Sequence, residues 1–334
     1  MYARYLIGRL GMFVLVIFLA VTVNFMIPRL MPGDPIEQKQ ATLSATGGGQ
    51  VGDIKEMAAA YRARFGLDAP LWRQYVNYWW DVLHLEFGYS LANYPERVSS
   101  TIRAALPWTL GLLGMTTLIA FAIGTVLGGL LAWPKTPRSA RAAIPVMMTV
   151  SAIPYFLLGI ILIYFLAIRL RIFPAGGGFQ FGSVLRSDFE TMVDIANHAF
   201  LPALSIIVAG IGIWALEMRG MMISILGEDY IALAEMKGLP ERRIFAWYGM
   251  RNGLLPMSTA LALRLGYIVA GAILVEVVFS YPGIGYKLFQ AVQTKDYFVI
   301  QGIVLVLIFA IALAMLVLDL IYPLIDPRIT YQRR

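Results

Sequence analysis

The sequence predicts an all-α polytopic membrane protein with six transmembrane helices. Three observations carry this. The 334 residues are 59% hydrophobic and only 14% charged, with a mean hydropathy of +0.71, whereas soluble domains carry about 25% charge. Apolar runs nearly free of charge recur along the chain, and a span needs about 20 such residues. Lys and Arg gather between alternate runs, which is the asymmetry that sets orientation in a bilayer.

Residues 10–28, LGMFVLVIFLAVTVNFMIP, hold no charge and form the first span. Arg4 and Arg9 precede it as in a secretory signal. The run is long and no small-x-small cleavage site follows, so the helix is expected to be retained. Residues 29–105 form a loop long enough for its own structure. Within it DIKEMAAAYRARFGL reads as a short amphipathic helix, and PLWRQYVNYWWDVLHLEFG as another. The Trp and Tyr rings of the second favour the membrane–water interface; the plainer reading is a lid over the bundle. The core then runs from 106 to 334. Spans 106–132, 142–168, 199–216 and 297–318 carry no charge, and span 257–275 carries only Arg264. No long internal repeat of the secondary-transporter kind is present.

Arg4 and Arg9, then Lys135, Arg138 and Arg141, then Lys237, Arg242, Arg243 and Arg251, then Arg328, Arg333 and Arg334 all fall on one side. The rule places that side, with both termini, in the cytoplasm. Arg169, Arg171 and Arg186 are a weaker counter-signal beside Asp188, Glu190 and Asp194. The net charge of +7 then belongs to cytoplasmic loops rather than to nucleic-acid binding.

Composition excludes much chemistry. There are no cysteines and only two histidines, His84 and His198, so disulfides, thiolate metal sites and most histidine catalysis are ruled out. GGGQVG (47–52) fits a dinucleotide pattern but lacks the strand-to-helix context. No G-x-x-x-x-G-K-[ST] occurs, so ATP hydrolysis is not expected of this chain.

The segment 228–256 is the informative one. It is polar and helix-prone between two apolar runs, and its four acids (Glu228, Asp229, Glu235, Glu241) balance Lys237, Arg242, Arg243 and Arg251. A lipid-binding patch would be cationic instead. Gly238 permits a turn closed to other residues, and Pro240 suits the first turn of a second helix. The segment reads as a knob of two short helices showing Phe245 and Trp247 to a protein partner.

It also resembles the EAA loop of permease subunits in ATP-binding cassette importers, in the form found in the dipeptide and oligopeptide branch. The matching residues are Ala234-Glu235-Met236-Lys237-Gly238-Leu239-Pro240-Glu241-Arg242-Arg243-Ile244 and Arg251-Asn252-Gly253-Leu254-Leu255-Pro256. The name-giving Glu is absent, since the triplet reads Ala232-Leu233-Ala234. PGDP (32–35), FGLDAPLWRQY (65–75), FGYSL (87–91), FPAGG (173–177), VEVVFSYPGIG (275–285) and DLIYPLIDPRI (319–329) extend the likeness end to end.

The resemblance implies a type I importer permease fold in the bacterial cytoplasmic (inner) membrane. It implies pairing with a sibling permease, two cytoplasmic ATPases that carry the ATP and Mg, and an extracytoplasmic solute-binding protein. No cofactor is expected in this chain. The 238–250 helix would be the coupling helix, with Ala234, Lys237, Gly238, Leu239, Glu241, Arg242, Arg243, Ile244 and Phe245 as the ATPase-coupling residues. Peptides are the commonest cargo of the branch; opines, oligosaccharides and nickel chelates are alternatives. A secondary transporter is the other class of function, and it would have no use for the knob.

Charges within spans are functional candidates by default. Arg264 lies about 12 Å along a helix starting near Pro256, at 1.5 Å per residue. It is expected either to meet a substrate carboxylate or form a polar wall of the path, or else to snorkel or pair with another helix. The branch often has Gln there. Glu276, near the outer end of its span, is expected to line the gate or to cap YPGIG. Glu217 and Arg219 could pair with the knob, and Asp319 bonds locally. Gly111, Gly114, Gly124, Gly128 and Gly129 let backbones approach, and Pro145 and Pro154 suggest a kink in the third span.

Overall fold

A computed structural model of the chain describes residues 2–30, 69–183, 188–266 and 273–325. In chain order the helices are α1 (Tyr2–Leu30), α2 (Leu71–Leu83), α3 (Val98–Ala132), α4 (Ala143–Ala152), α5 (Tyr155–Leu162), α6 (Phe189–Leu226), α7 (Asp229–Met236), α8 (Arg251–Gly266), α9 (Ile273–Val278), α10 (Ile284–Gln293) and α11 (Tyr297–Ile325). Wide π-helical turns occupy Ile163–Arg169 and Ile244–Met250. Short helical turns occupy Arg138–Arg141 and Glu241–Arg243. No strand occurs among the described residues, only an isolated bridge between Tyr89 and Arg97.

Four described helices are long and apolar enough to cross a membrane: Ile7–Met26, Val98–Ala132, Phe189–Leu226 and Tyr297–Val317. The pair Arg138–Ala152 and Tyr155–Arg169, bent by 94°, makes a fifth when counted as one span. The remaining expected span, 257–275, crosses 267–272, which lie outside the described residues, as does the expected 53–67 helix. The chain divides into two compact units: Met1–Pro107 with Ile284–Arg334, and Trp108–Gly283. The C-terminal helix thus groups with the N-terminal one rather than with the rest of the 106–334 core.

In the first unit α1 packs along α11. One exchange of polar groups fixes the pair: Asn24 Nδ2 donates to the Gln301 carbonyl at 2.8 Å, and Gln301 Nε2 donates to the Asn24 carbonyl at 2.9 Å. Buried amides need such partners, above all in lipid. The Trp/Tyr helix α2 forms as expected and lies against α1. Phe18 stacks on Trp79 at 5.6 Å, Phe25 meets Tyr75 at 5.1 Å, and Asn24 Nδ2 also donates to the Tyr78 hydroxyl at 3.0 Å. The opposite face of α2 leaves Trp72, Val76, Trp80 and Leu83 exposed. Buried Asp296 opens α11 by accepting from Val299 N at 3.3 Å, from Ser90 Oγ at 2.5 Å and from Ala92 N at 3.0 Å. It therefore anchors the loop before α3.

In the second unit α3 and α6 touch through small residues. A Cβ on Gly124 would meet Trp214 Cβ at 2.6 Å, and one on Gly128 would strike the Ala215 backbone. Gly111 and Gly114, expected to serve the same purpose, face open space. The kink expected in the third span is a full break at Ile153–Pro154, because proline has no N–H to continue the helix. Pro145 stays inside α4. α6 is twice as long as its apolar run predicts. Asp188 caps it, accepting from Thr191 N at 2.9 Å. Hydrogen bonds from the Thr191 side chain and backbone hold the Asp188 carboxyl below its usual range.

Candidate functional site

The protrusion expected at 228–256 is built as follows. α7 ends in a left-handed turn in which Leu239 N donates to Ala234 O at 3.2 Å and Gly238 N to Glu235 O at 2.9 Å. Gly238 has φ +69°. This is the double-bonded glycine stop, which satisfies the last carbonyls of a helix. Pro240 then starts a second helical rod. The sequence reading closes that rod near 250 and opens a separate span near Pro256. In the structure, helical residues instead run without interruption from Glu241 through Ile244–Met250 into α8, ending at Gly266. Pro256 lies inside. One continuous helix thus joins the knob to the Arg264 region.

The predicted coupling residues separate into two groups. Ala234 and Ile244 are buried with Ile225 and Ile231, and Leu239 packs against them. Phe245, expected outside, is half-buried and sits edge-on to Trp133 at 5.3 Å. These four brace the knob from within. Lys237, Gly238, Glu241, Arg242 and Arg243 are exposed, and Glu241 pairs with Lys135. Sequence reasoning missed a second surface. Tyr230, Leu233 and Met236 are exposed on the outer side of α7, Met236 by 78%. Their three-residue spacing was the available signal, since it lines up one helical face. Beside them Tyr230, Arg243, Trp247, Tyr248, Arg251 and Asn252 line a shallow cleft of about 690 Å³. Arg251 lies over the exposed Trp247 ring at 5.5 Å.

Arg264 does not stand alone. Its Nη2 is 2.5 Å from Glu217 Oε1, and its guanidinium lies 4.3 Å from the Trp214 ring centroid. Trp214 is buried, while the two charged side chains are 40% and 38% exposed. Glu217 therefore pairs within the bundle and not with the knob.

Glu276 is 1% exposed. Thr109 Oγ1 donates to its carboxylate at 2.6 Å, and its carbonyl accepts from Tyr281 N at 2.8 Å. A Cβ on Gly283 would strike the same carboxylate. Glu276 is thus in contact with the YPGIG turn at both its carbonyl and its carboxylate. FPAGG joins the same structure, because Gly177 N donates to Phe279 O at 2.8 Å. Trp108 stands edge-on to Tyr281 at 5.5 Å. Both histidines bond locally: His84 Nδ1 lies 2.8 Å from Trp80 O, and His198 Nδ1 lies 3.1 Å from Asp194 Oδ1. Among the described residues no cluster could hold a metal ion.

A family model described as binding-protein-dependent transport system inner membrane component matches residues 102–331. The dipeptide transport system permease protein DppB of Escherichia coli (strain K12) is 31% identical over 348 aligned positions, covering 99% of each chain. The di/tripeptide transport system permease protein DppB of Pseudomonas aeruginosa (strain UCBPP-PA14) is 31% identical, covering 97% of this chain and 98% of that one. The probable D,D-dipeptide transport system permease protein DdpB of Escherichia coli (strain K12) is 34% identical, covering 95% and 94%.

Proposed function

Since this chain belongs to the family of binding-protein-dependent transport system inner membrane components, we propose that it forms half of the pore of an ATP-driven importer of short peptides. It is a multi-pass inner-membrane permease. A sibling permease completes the pore, two ATPases bind at the cytoplasmic face, and a binding protein delivers peptide from the other side. Both termini are then cytoplasmic. ATP and Mg act on the ATPase subunits. The peptide assignment is supported by the names of the relatives, all of nearly full length.

The observation that carries the reading is the unbroken helix from Glu241 to Gly266. Closure of two ATPases is a rigid-body motion, and a flexible loop would absorb it. A helix braced at Ile244 against Ala234 of α7, and at Phe245 against Trp133, transmits it into the bundle. The contact surface is the exposed ridge of Tyr230, Leu233 and Met236 with the charged tip from Lys237 to Arg243. The wall of α7 that points inward supplies stiffness rather than contact.

The test uses the permease pair with its two ATPases in proteoliposomes, with the binding protein and peptide supplied on the other side. Leu233→Glu and Glu241→Arg are expected to abolish peptide uptake while the chain still inserts and pairs with its sibling. The Lys135–Glu241 pair is exposed and contributes little to folding, so loss of uptake in Glu241→Arg reports the contact. Peptide accumulation by the permease pair without ATPases would overturn the proposal.

A further inference from the structure

We propose that Arg264 and Glu217 form a charge-exchange site that receives the two termini of a peptide in transit, an inference that rests on the peptide reading above. Glu217 sits on α6, which is long and apolar enough to cross a membrane, and Arg264 sits on α8, whose residues from 257 open the expected fifth span. Each remains about two-fifths exposed although they bond each other. Ionised groups facing hydrocarbon are strongly disfavoured, so such pairs face a water-filled cavity or the bundle interior. The exposed side of this pair therefore lines the path. Trp214, buried beneath it, holds the guanidinium through its ring face, so the arginine is fixed on one side and open on the other.

A short peptide near neutral pH carries one carboxylate and one ammonium. These are the counter-ions of Arg264 and Glu217. The carboxylate takes the arginine fork in two parallel bonds, and the ammonium takes Glu217. One internal ion pair is thereby exchanged for two to the ligand. When the peptide leaves, the pair closes on itself and the empty path carries no unpaired charge. Competition from the internal partner also keeps binding weak, as conduction requires of any site that must both fill and empty.

The test measures peptide delivered per ATP hydrolysed by the full complex in proteoliposomes. Arg264→Gln and Glu217→Gln should each lower that ratio about tenfold, as expected when a charge-assisted contact is lost. The double variant should fall at least as far as the worse single. A purely internal strut behaves oppositely, because removing both charges leaves neither unpaired. Recovery of the ratio in the double variant overturns the site. If these neutral variants fail to assemble, Arg264→Lys keeps the charge. Its introduced amine should react with a water-soluble acylating reagent and be protected more by excess dipeptide than by an equal concentration of glycinamide, whose amine consumes the reagent without offering a carboxylate. An unreactive amine, or one that dipeptide protects no better than glycinamide, overturns the site as well. A wild-type complex that delivers no di- or tripeptide would instead remove the peptide reading itself.

Discussion

Gly238 offers the sharpest test of how the protrusion works. Its φ of +69° closes α7 through two backbone bonds, and a Cβ placed there meets nothing within 4 Å. An alanine at this position therefore pays only the left-handed backbone penalty, about 1–2 kcal/mol. That is a factor of about 5–30 in the population of the opened turn. Gly238→Pro is worse for two separate reasons. Its ring locks φ near −65°, and the bond from Gly238 N to Glu235 O disappears. Together these cost at least about 3 kcal/mol, or more than two orders of magnitude.

Hydrogen exchange at Lys237 and Leu239 in the purified complex reads the opening directly, because local unfolding exposes those amides. Exchange should rise about 5–30-fold in Gly238→Ala and approach the unprotected rate in Gly238→Pro. Peptide delivered per ATP should fall in the same order. If the alanine and proline variants were equally impaired, the side chain rather than the backbone angle would be the cause. If Gly238→Pro exchanged and transported like the parent, the stiff-protrusion reasoning would fail.

Further expectations concern packing and protonation. Gly124→Val should destabilise the purified chain by about 3 kcal/mol, because the α6 backbone at Ile211 and Ala215 cannot yield. Gly114→Val on the same helix faces open space in this chain and should change thermal stability by under about 0.5 kcal/mol. Asn24→Leu removes the donor to both Gln301 and Tyr78, and should lower stability by about 1–2 kcal/mol in a detergent melt. The Asp188 cap has a folded pKa below its unfolded value near 3.8. Its contribution is therefore complete above that value and is lost as the pH falls through the lower folded one. Asp188→Asn should remove the corresponding acid-side slope from a pH series of melts.

The helices were legible where composition alone decides them. Uncharged runs placed α1, α3, α6 and α11, and the Trp/Tyr pattern placed α2. Their lengths were not legible, because polar and charged residues at helix ends, such as Glu190 and Arg219, continue the backbone bonding of α6 without being apolar. The Gly238 stop was readable because glycine alone adopts its angle freely. The inward or outward direction of Phe245 was not, since it depends on Trp133, more than a hundred positions away in the chain. The same holds for Arg264. Its charge marked it as a candidate, but its partner Glu217 lies on another helix, and only folding brings the two together.

The widened turn at Ile244–Met250 lies within an unbroken rod, and the one at Ile163–Arg169 ends its rod; both leave slack in the register. A π turn bonds to the fifth residue rather than the fourth and so stores a spare position. Deleting Ala246 could be absorbed by tightening that turn, with the faces on either side kept in phase. Deleting Ala232 from the regular coil of α7 offers no such reserve. Everything beyond it would swing by about 100°, carrying Ala234 out of its buried seat.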